Sequence, residues 1–318
     1  MLLRVENLTK HFAGLAALTA VSFEVREGEI LSIVGPNGAG KTVLFGLISG
    51  LLKATSGRIF LQGQEITGLK PYLRARKGIA RTFQTTALFD QLRVVDNLAL
   101  GYRLRTKSGF WSTLLHNPGW NKDKIKTTER VEETLDFIGL TEKAFHPVSV
   151  LSQLEQKRLS IGMALIGEPQ IILLDEPTGG LVLEETELIT GLIRKIHQTY
   201  GITVCLIEHK MRMVMGLAEQ IIVLNFGRVI AEGAPTDIGS NPQFNCDEIH
   251  VSIFCHVIMC SMRFGRICAD FASWFGSGLR GDRLRPDRRP PRNRCFGGLV
   301  PKARSGRATT DGGGSPRV

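Results

Sequence analysis

The 318-residue sequence lacks an apolar run of the roughly 18 residues that a membrane-spanning helix needs. Its best candidate, Val251 to Met262, is short and contains His256, so the chain is not expected to cross a bilayer itself. It also lacks the apolar stretch of a secretory leader. Met1-Leu-Leu-Arg4-Val-Glu6 meets charge within four residues, which places the chain in the cytosol by expectation. Cysteine is scarce before the tail: only Cys205 precedes Cys246, Cys255, Cys260, Cys268 and Cys295. No pair has the CxxC spacing of a zinc ribbon, and a cytosolic chain is not expected to build a disulfide framework. The net charge of +10 suggests nucleic acid until its distribution is read. Residues 244–318 hold 13 Lys and Arg against 6 Asp and Glu, which leaves 27 against 24 for residues 1–243. The basicity belongs to the tail, and no nucleic-acid partner is expected of the rest.

What is present is ordinary globular usage, 43% apolar and 22% charged, which excludes whole-chain disorder, collagen and coiled coil. The length suits about two compact units at roughly 150 residues per domain. Short strand-like segments open the chain at Leu3–Glu6 and Val21–Val25. Uninterrupted apolar runs follow at Ile30–Val34, Ile59–Leu61, Ile171–Leu174, Thr203–Ile207 and Ile221–Leu224. Runs without polar alternation suit strands covered on both faces in a parallel sheet. Helical periodicity lies between them at Thr128–Ile138, Leu154–Ile166 and Glu184–Thr199. The expected fold is therefore α/β. The stretch from about 86 to 164 reads as a helical insertion in a domain of residues 1–243. Residues 244–318, with twelve arginines, ten glycines and five prolines, cannot build a periodic apolar face and read as an atypical, disordered tail.

Gly35-Pro36-Asn37-Gly38-Ala39-Gly40-Lys41-Thr42 fits GxxxxGK[ST] between an apolar strand and a helical segment. In such a turn the glycines let successive N–H groups face phosphate oxygens, and the helix adds its positive end. Lys41 would bridge the β- and γ-phosphates of ATP, with the Thr42 hydroxyl on Mg²⁺. Asp175 and Glu176 follow the apolar run Ile171–Leu174. Ligands gather at the carboxyl ends of parallel strands, so the pair should face the same crevice, Asp175 towards Mg²⁺ and Glu176 as general base. His209 ends another such strand and could hydrogen-bond a γ-phosphate oxygen. Gln84 is a neutral side chain able to touch Mg²⁺ or the attacking water. Phe12 offers either a flat face for adenine or a core aromatic.

The order and spacing of these segments resemble the ATP-binding subunits of ABC transporters, over residues 1 to about 243. Gln84, Leu151-Ser-Gln-Leu-Glu-Gln156, Leu174-Asp-Glu-Pro177 and His209 carry the resemblance. Ala80-Arg-Thr-Phe-Gln84, the basic insertion around Phe110–Pro118, Ile207-Glu-His-Lys-Met211 and Asn225–Gly233 extend it towards the branched-chain amino-acid uptake branch. The resemblance implies a P-loop core with a mainly parallel sheet, an N-terminal antiparallel β-subdomain and an inserted helical subdomain. It implies ATP-driven closure of two cassettes, each ATP lying between the phosphate loop of one and the signature segment of the other, with Ser152 as a nucleotide contact. One copy of each motif then requires a second ATP-binding subunit, identical or not. The resemblance further implies separate membrane permease subunits, docked near Gln84, an indirect dependence on a solute-binding protein, and a place on the cytoplasmic face of the membrane. A weakly hydrolysing regulatory subunit and an ATPase acting on nucleic acid or ribosomes are the other functions kept in view.

Two departures stand out. Relatives place glycine where this chain has Leu154, and an isobutyl group there should obstruct the approach of the partner's γ-phosphate. One lost phosphate donor costs about 3–4 kcal/mol in the transition state. Val182 also stands where relatives place Asn or Asp. The tail is foreign to the resemblance. It reads as the product of a shifted reading frame in preference to a basic arm for acidic lipid or RNA.

Overall fold

The computed structural model describes residues 1–82, 88–102 and 118–240, with the backbone alone for 118–124. The expected disorder of residues 244–318 and the role given to Gln84 concern residues outside that description.

Strands β1 (Leu3–Phe12) and β2 (Leu15–Val25) form an antiparallel hairpin that pairs onward with β4 (Ser56–Leu61) and β5 (Gln64–Glu65), in the order β2-β1-β4-β5. The inward residues of β1 are Leu3, Val5 and Leu8, so the alternation skips a step. A bulge explains the skip: Val5 opposes Phe23 while Leu8 opposes Val21, and Asn7 sits between them at φ 46° with its N–H on Ser22 Oγ at 2.8 Å. The sequence pattern, broken there, supports a strand only as far as Glu6.

The second sheet runs β10-β9-β3-β8-β7-β6. Strands β3 (Ile30–Val34), β6 (Ile79–Arg81), β7 (Ile171–Asp175), β8 (Thr203–Ile207) and β9 (Gln220–Asn225) are parallel, and β10 (Arg228–Gly233) closes one edge antiparallel. Every residue of β3, β7 and β8 is buried, which is why their sequences show no polar alternation. Their side chains nevertheless sort by turn into two cores. Ile171, Leu173, Cys205 and Ile207 pack with Phe45, Leu44 and the inner face of the β1–β2 sheet. Ile172, Leu174, Val204 and Leu206 pack with Leu159, Ile189 and Ile193.

Helix α1 (Lys41–Ser49) lies between the sheets, followed by α2 (Pro71–Arg76). Between β6 and β7 come α3 (Val94–Tyr102), α4 (Pro118–Ile138) and α5 (Gln153–Leu165), joined to one another through Leu98, Leu135, Ile138 and Ile161. Helix α5 starts on a complete capping box: Ser152 Oγ accepts from Glu155 N, and Glu155 Oε2 accepts from Ser152 N at 2.9 Å. Helices α6 (Leu183–Tyr200), α7 (Met211–Leu217) and α8 (Pro235–Ser240) complete the described chain. Among the described residues, no helix is long and apolar enough to cross a membrane.

Candidate functional site

The glycine turn runs from the end of β3 into α1, and two of its glycines are dictated by close approach. A β-carbon on Gly35 would overlap the carbonyl oxygen of Leu224 in β9. One on Gly40, which caps α1 at φ 100°, would lie 2.7 Å from both the Ala17 carbonyl and Leu18 Cδ2. The turn is thus wedged between the β1–β2 hairpin and β9. Lys41 folds back over it, donating to the carbonyls of Gly35 at 2.7 Å and Pro36 at 2.9 Å. Burial pushes its ammonium pKa down, and the carboxylates of Glu176 and Asp175 act in the other direction. The α1 carbonyl end is held by Arg74, a buried guanidinium that donates to Leu47, Ile48, Thr67 and Leu69 oxygens. Burial lowers Arg74 to about 10.

Asp175 ends β7 fully buried. Its Oδ2 pairs with Arg81 Nη2 at 3.0 Å, while Oδ1 is buried with no hydrogen-bond partner among the described residues. Burial raises its pKa and Arg81 opposes the rise. Glu176 follows at φ 47°, a conformation that L-residues adopt at a cost, and turns its carboxylate outward. Its Oε1 lies 3.1 Å from His209 Nε2. His209 follows β8, the strand that pairs beside β7 with Asp175 opposite Ile207. Both side chains are about one-quarter exposed.

A cleft of about 380 Å³ unites the turn and the acid. Asn37, Gly38, Ala39, Gly40, Lys41, Thr42 and Glu176 line it, together with Leu15, Ala16, Ala17 and Phe226. The sequence assigned the loop and the pair Asp175 and Glu176 to one crevice; of the pair Glu176 lines the cleft, whereas Asp175 is buried behind it because it still belongs to β7. Phe12 is not among the residues lining the cleft: it ends β1, exposed, with the Lys10 ammonium 4.8 Å from its ring centre. Ser152 is likewise away from it, occupied as the cap of α5. Leu154 is half-buried and packs on the core beside α5 instead of standing free in solvent.

Several polar residues that motif reading does not mark surround the acid pair. Lys157, buried on α5, donates to the Glu176 carbonyl at 3.1 Å. Lys210 donates to the Thr178 and Leu181 carbonyls and to Thr186 Oγ1. Gln153 reaches the Gly179 carbonyl at 3.4 Å. The start of α5 is therefore tied to the turn that follows the acids.

A strand, a glycine turn and a helix with a buried ammonium, facing an acid and a histidine at the ends of neighbouring parallel strands, define a P-loop nucleoside-triphosphatase. The chain belongs to the ABC transporter family, whose model matches residues 18–179, and its chemistry is ATP hydrolysis. It is 39% identical over 241 residues to the high-affinity branched-chain amino acid transport ATP-binding protein LivG of Salmonella typhimurium, covering 76% of this chain and 94% of that protein. To BraF of Pseudomonas aeruginosa, a protein of the same description, it is 37% identical over the same shares. Among solved structures it resembles the ADP conformation of MJ1267, an ATP-binding cassette of an ABC transporter. There the TM-score is 0.66 at 30% identity, covering 79% of this chain and 98% of that one.

Proposed function

We propose that this chain is the ATP-hydrolysing subunit of an importer for branched-chain amino acids, working at the cytoplasmic face of the membrane with a second ATP-binding subunit, identical or not. Residues 1–243 form the cassette. Separate permease subunits carry the cargo, and a solute-binding protein delivers it to them. The cargo assignment is supported by the LivG and BraF likeness, which spans nearly the whole of those proteins.

The observation that carries the catalytic reading is the single cleft shared by the glycine turn, Lys41 and Glu176, with His209 on the Glu176 carboxylate. The turn from Gly35 to Thr42 grips the triphosphate through its N–H groups and the end of α1. Lys41 exchanges its two carbonyl acceptors for phosphate oxygens, a change its buried position favours because a desolvated cation gains most from an anionic partner. Glu176 orients and deprotonates the attacking water, and His209 holds the Glu176 carboxylate and reaches the γ-phosphate. The buried Oδ1 of Asp175, lacking a donor, fits a cation or its water, so Asp175, Thr42 and Gln84 are the residues that would hold Mg²⁺. Bound there, Mg²⁺ supplies charge neutralisation on the phosphates. Ser152 serves the partner's nucleotide, and Phe12 the adenine.

Titrating Mg·ATP into the purified chain and its Lys41→Ala and Glu176→Gln variants tests this. Lys41→Ala is expected to weaken binding about a hundredfold, the worth of a charge-assisted contact of about 3 kcal/mol. Glu176→Gln should bind but not turn over. Binding undiminished by loss of Lys41 would remove the reading. Co-purification from membranes then identifies the permease, and one for another solute class would overturn the cargo.

A further inference from the structure

Behind the acid pair lies a buried carboxylate that the catalytic reading does not use. Glu208 is 3% exposed and immediately precedes His209. Its Oε1 accepts from Thr178 N at 2.9 Å and from Thr178 Oγ1 at 2.6 Å, and its Oε2 accepts from His209 N at 3.1 Å. A buried carboxylate is tolerated only when its lone pairs are met and a counter-charge is near. Three donors meet them here, and Lys157, whose ammonium feels Glu208 before any other acid, is the counter-charge.

These bonds form a frame. The segment 176–178 is joined to 207–209 three times: Glu176 N to the Ile207 carbonyl at 3.0 Å, Thr178 to Glu208, and Glu176 Oε1 to His209 Nε2 at 3.1 Å. Glu176 sits in a left-handed conformation that persists only where its surroundings over-determine it. Lys157 and Gly179 N on the Glu176 carbonyl, and Lys210 on the Thr178 carbonyl, brace the same turn from the other side. Neither Thr178 nor Glu208 lines the phosphate cleft.

We propose that Glu208 is a positioning residue for ATP hydrolysis, fixing through Thr178 the turn that presents Glu176 and through its own backbone the histidine that Glu176 meets. The inference rests on the assignment of Glu176 and His209 made above. Loosening the frame should misplace the acid without disturbing the grip on phosphate, so the effect falls on kcat and spares affinity.

The test uses the full chain with its partner subunits, reading steady-state turnover, Mg·ATP affinity and thermal melting for Thr178→Val, Thr178→Ser, Glu208→Gln and Glu176→Gln. Thr178→Val removes one donor and keeps the shape. It is expected to lower kcat about ten- to a hundredfold. KM and affinity should stay within about twofold. Thr178→Ser, which restores the hydroxyl, should recover kcat to within about twofold of the parent. Glu208→Gln should be at least as impaired as Thr178→Val; if it does not fold, the Thr178 pair decides. Wild-type kcat in Thr178→Val, or an equal loss of affinity and kcat, overturns the positioning role while leaving Glu176 in place if Glu176→Gln is inactive. Full turnover in Glu176→Gln would remove the catalytic assignment and the inference with it.

Discussion

Replacing Leu154 by glycine should make this protein less stable and a better catalyst, and the structure separates the two effects. Leu154 is the second residue after the Ser152 cap of α5, half-buried against the core around α5. Full burial of a leucine is worth about 1.5–3 kcal/mol, so losing this half costs about 1 kcal/mol. Glycine in place of leucine costs the helix about another 1 kcal/mol, an upper figure for a first-turn position. The cassette should therefore melt about 4–8 °C lower, at about 2–4 °C per kcal/mol for a domain this size. Against this, an uncluttered helix start lets the γ-phosphate bound to the other subunit reach the α5 N–H groups. One restored donor is worth about 3–4 kcal/mol in the transition state, or about a hundred- to a thousandfold in turnover. Leu154→Ala is the control: it removes most of the bulk but keeps the best helix former, so it should give part of the rate gain at about half the loss of stability. The assays are ATP turnover of the assembled dimer and calorimetric melting of the same preparation. A melting point lowered as expected in both variants, with turnover unchanged in both, would refute the steric argument.

Three further outcomes follow from charged or capping groups. Arg81→Met strands the Asp175 carboxylate, whose side chain is 0% exposed, without its counter-charge, so urea unfolding at pH 7 in EDTA should show a loss of about 3–5 kcal/mol. Adding Asp175→Asn should recover much of it, and a loss below about 1 kcal/mol would contradict the buried pair. Glu232, on the exposed face of β10, has its pKa raised, first by partial desolvation and then by Glu24 and Glu29, so its ionisation opposes folding by a small amount that solvent screens. For a raised acid the native state holds its proton longer than the unfolded chain, and stability falls as pH rises through the native pKa. Glu232→Gln, which can keep the acceptor for Gln220 Nε2, should therefore raise the melting temperature at pH 7 and leave it unchanged near pH 3, where both states are protonated. A gain at low pH alone would reverse the sign. Val182 caps α6 with its N–H on Glu185 Oε2 at 3.2 Å but offers no acceptor in return. Val182→Asn completes the box and should add about 1 kcal/mol by chemical denaturation, and a neutral result would count against the cap.

How much of this was legible in the sequence depends on how local each requirement is. The glycine turn could be read because its demands, no β-carbon at Gly35 and Gly40 and an ammonium one residue on, fall within eight contiguous positions. The parallel strands could be read because burial on both faces leaves β7 apolar up to its last residue, Asp175. Arg74 and Arg81 could not: the Leu47 carbonyl at the end of α1 lies 27 residues from Arg74 and Asp175 lies 94 from Arg81, and a charged side chain in a single sequence reads as solvated. Asn7 was hidden for the opposite reason, since its bulge breaks the very alternation by which a strand is recognised. At Phe12 a single sequence leaves an adenine face and a core aromatic equally open, and the structure removes the second, since the ring is exposed at the end of β1 three residues before the cleft-lining Leu15.

Glu208 is the instructive case, because a signal for it does exist. The first acid at the end of each of the neighbouring buried strands, Asp175 and Glu208, is turned inward, at 1% and 3% exposure, while the residue after it is about one-quarter exposed, Glu176 lining the cleft and His209 on the Glu176 carboxylate. A strand buried on both faces carries the first polar residue at its end into a core whichever face it takes, and the chain reaches the surface only once it leaves the sheet, as it does at Glu176 with φ 47°. An acid driven there has to be met by a cation or by several donors. Arg81 answers for Asp175, and Thr178, His209 N and Lys157 answer for Glu208. Each polar residue that leaves a buried strand is in this way preceded by a buried acid, so the cleft-side member of the pair Asp175 and Glu176 is read from its order after the strand and not from its charge.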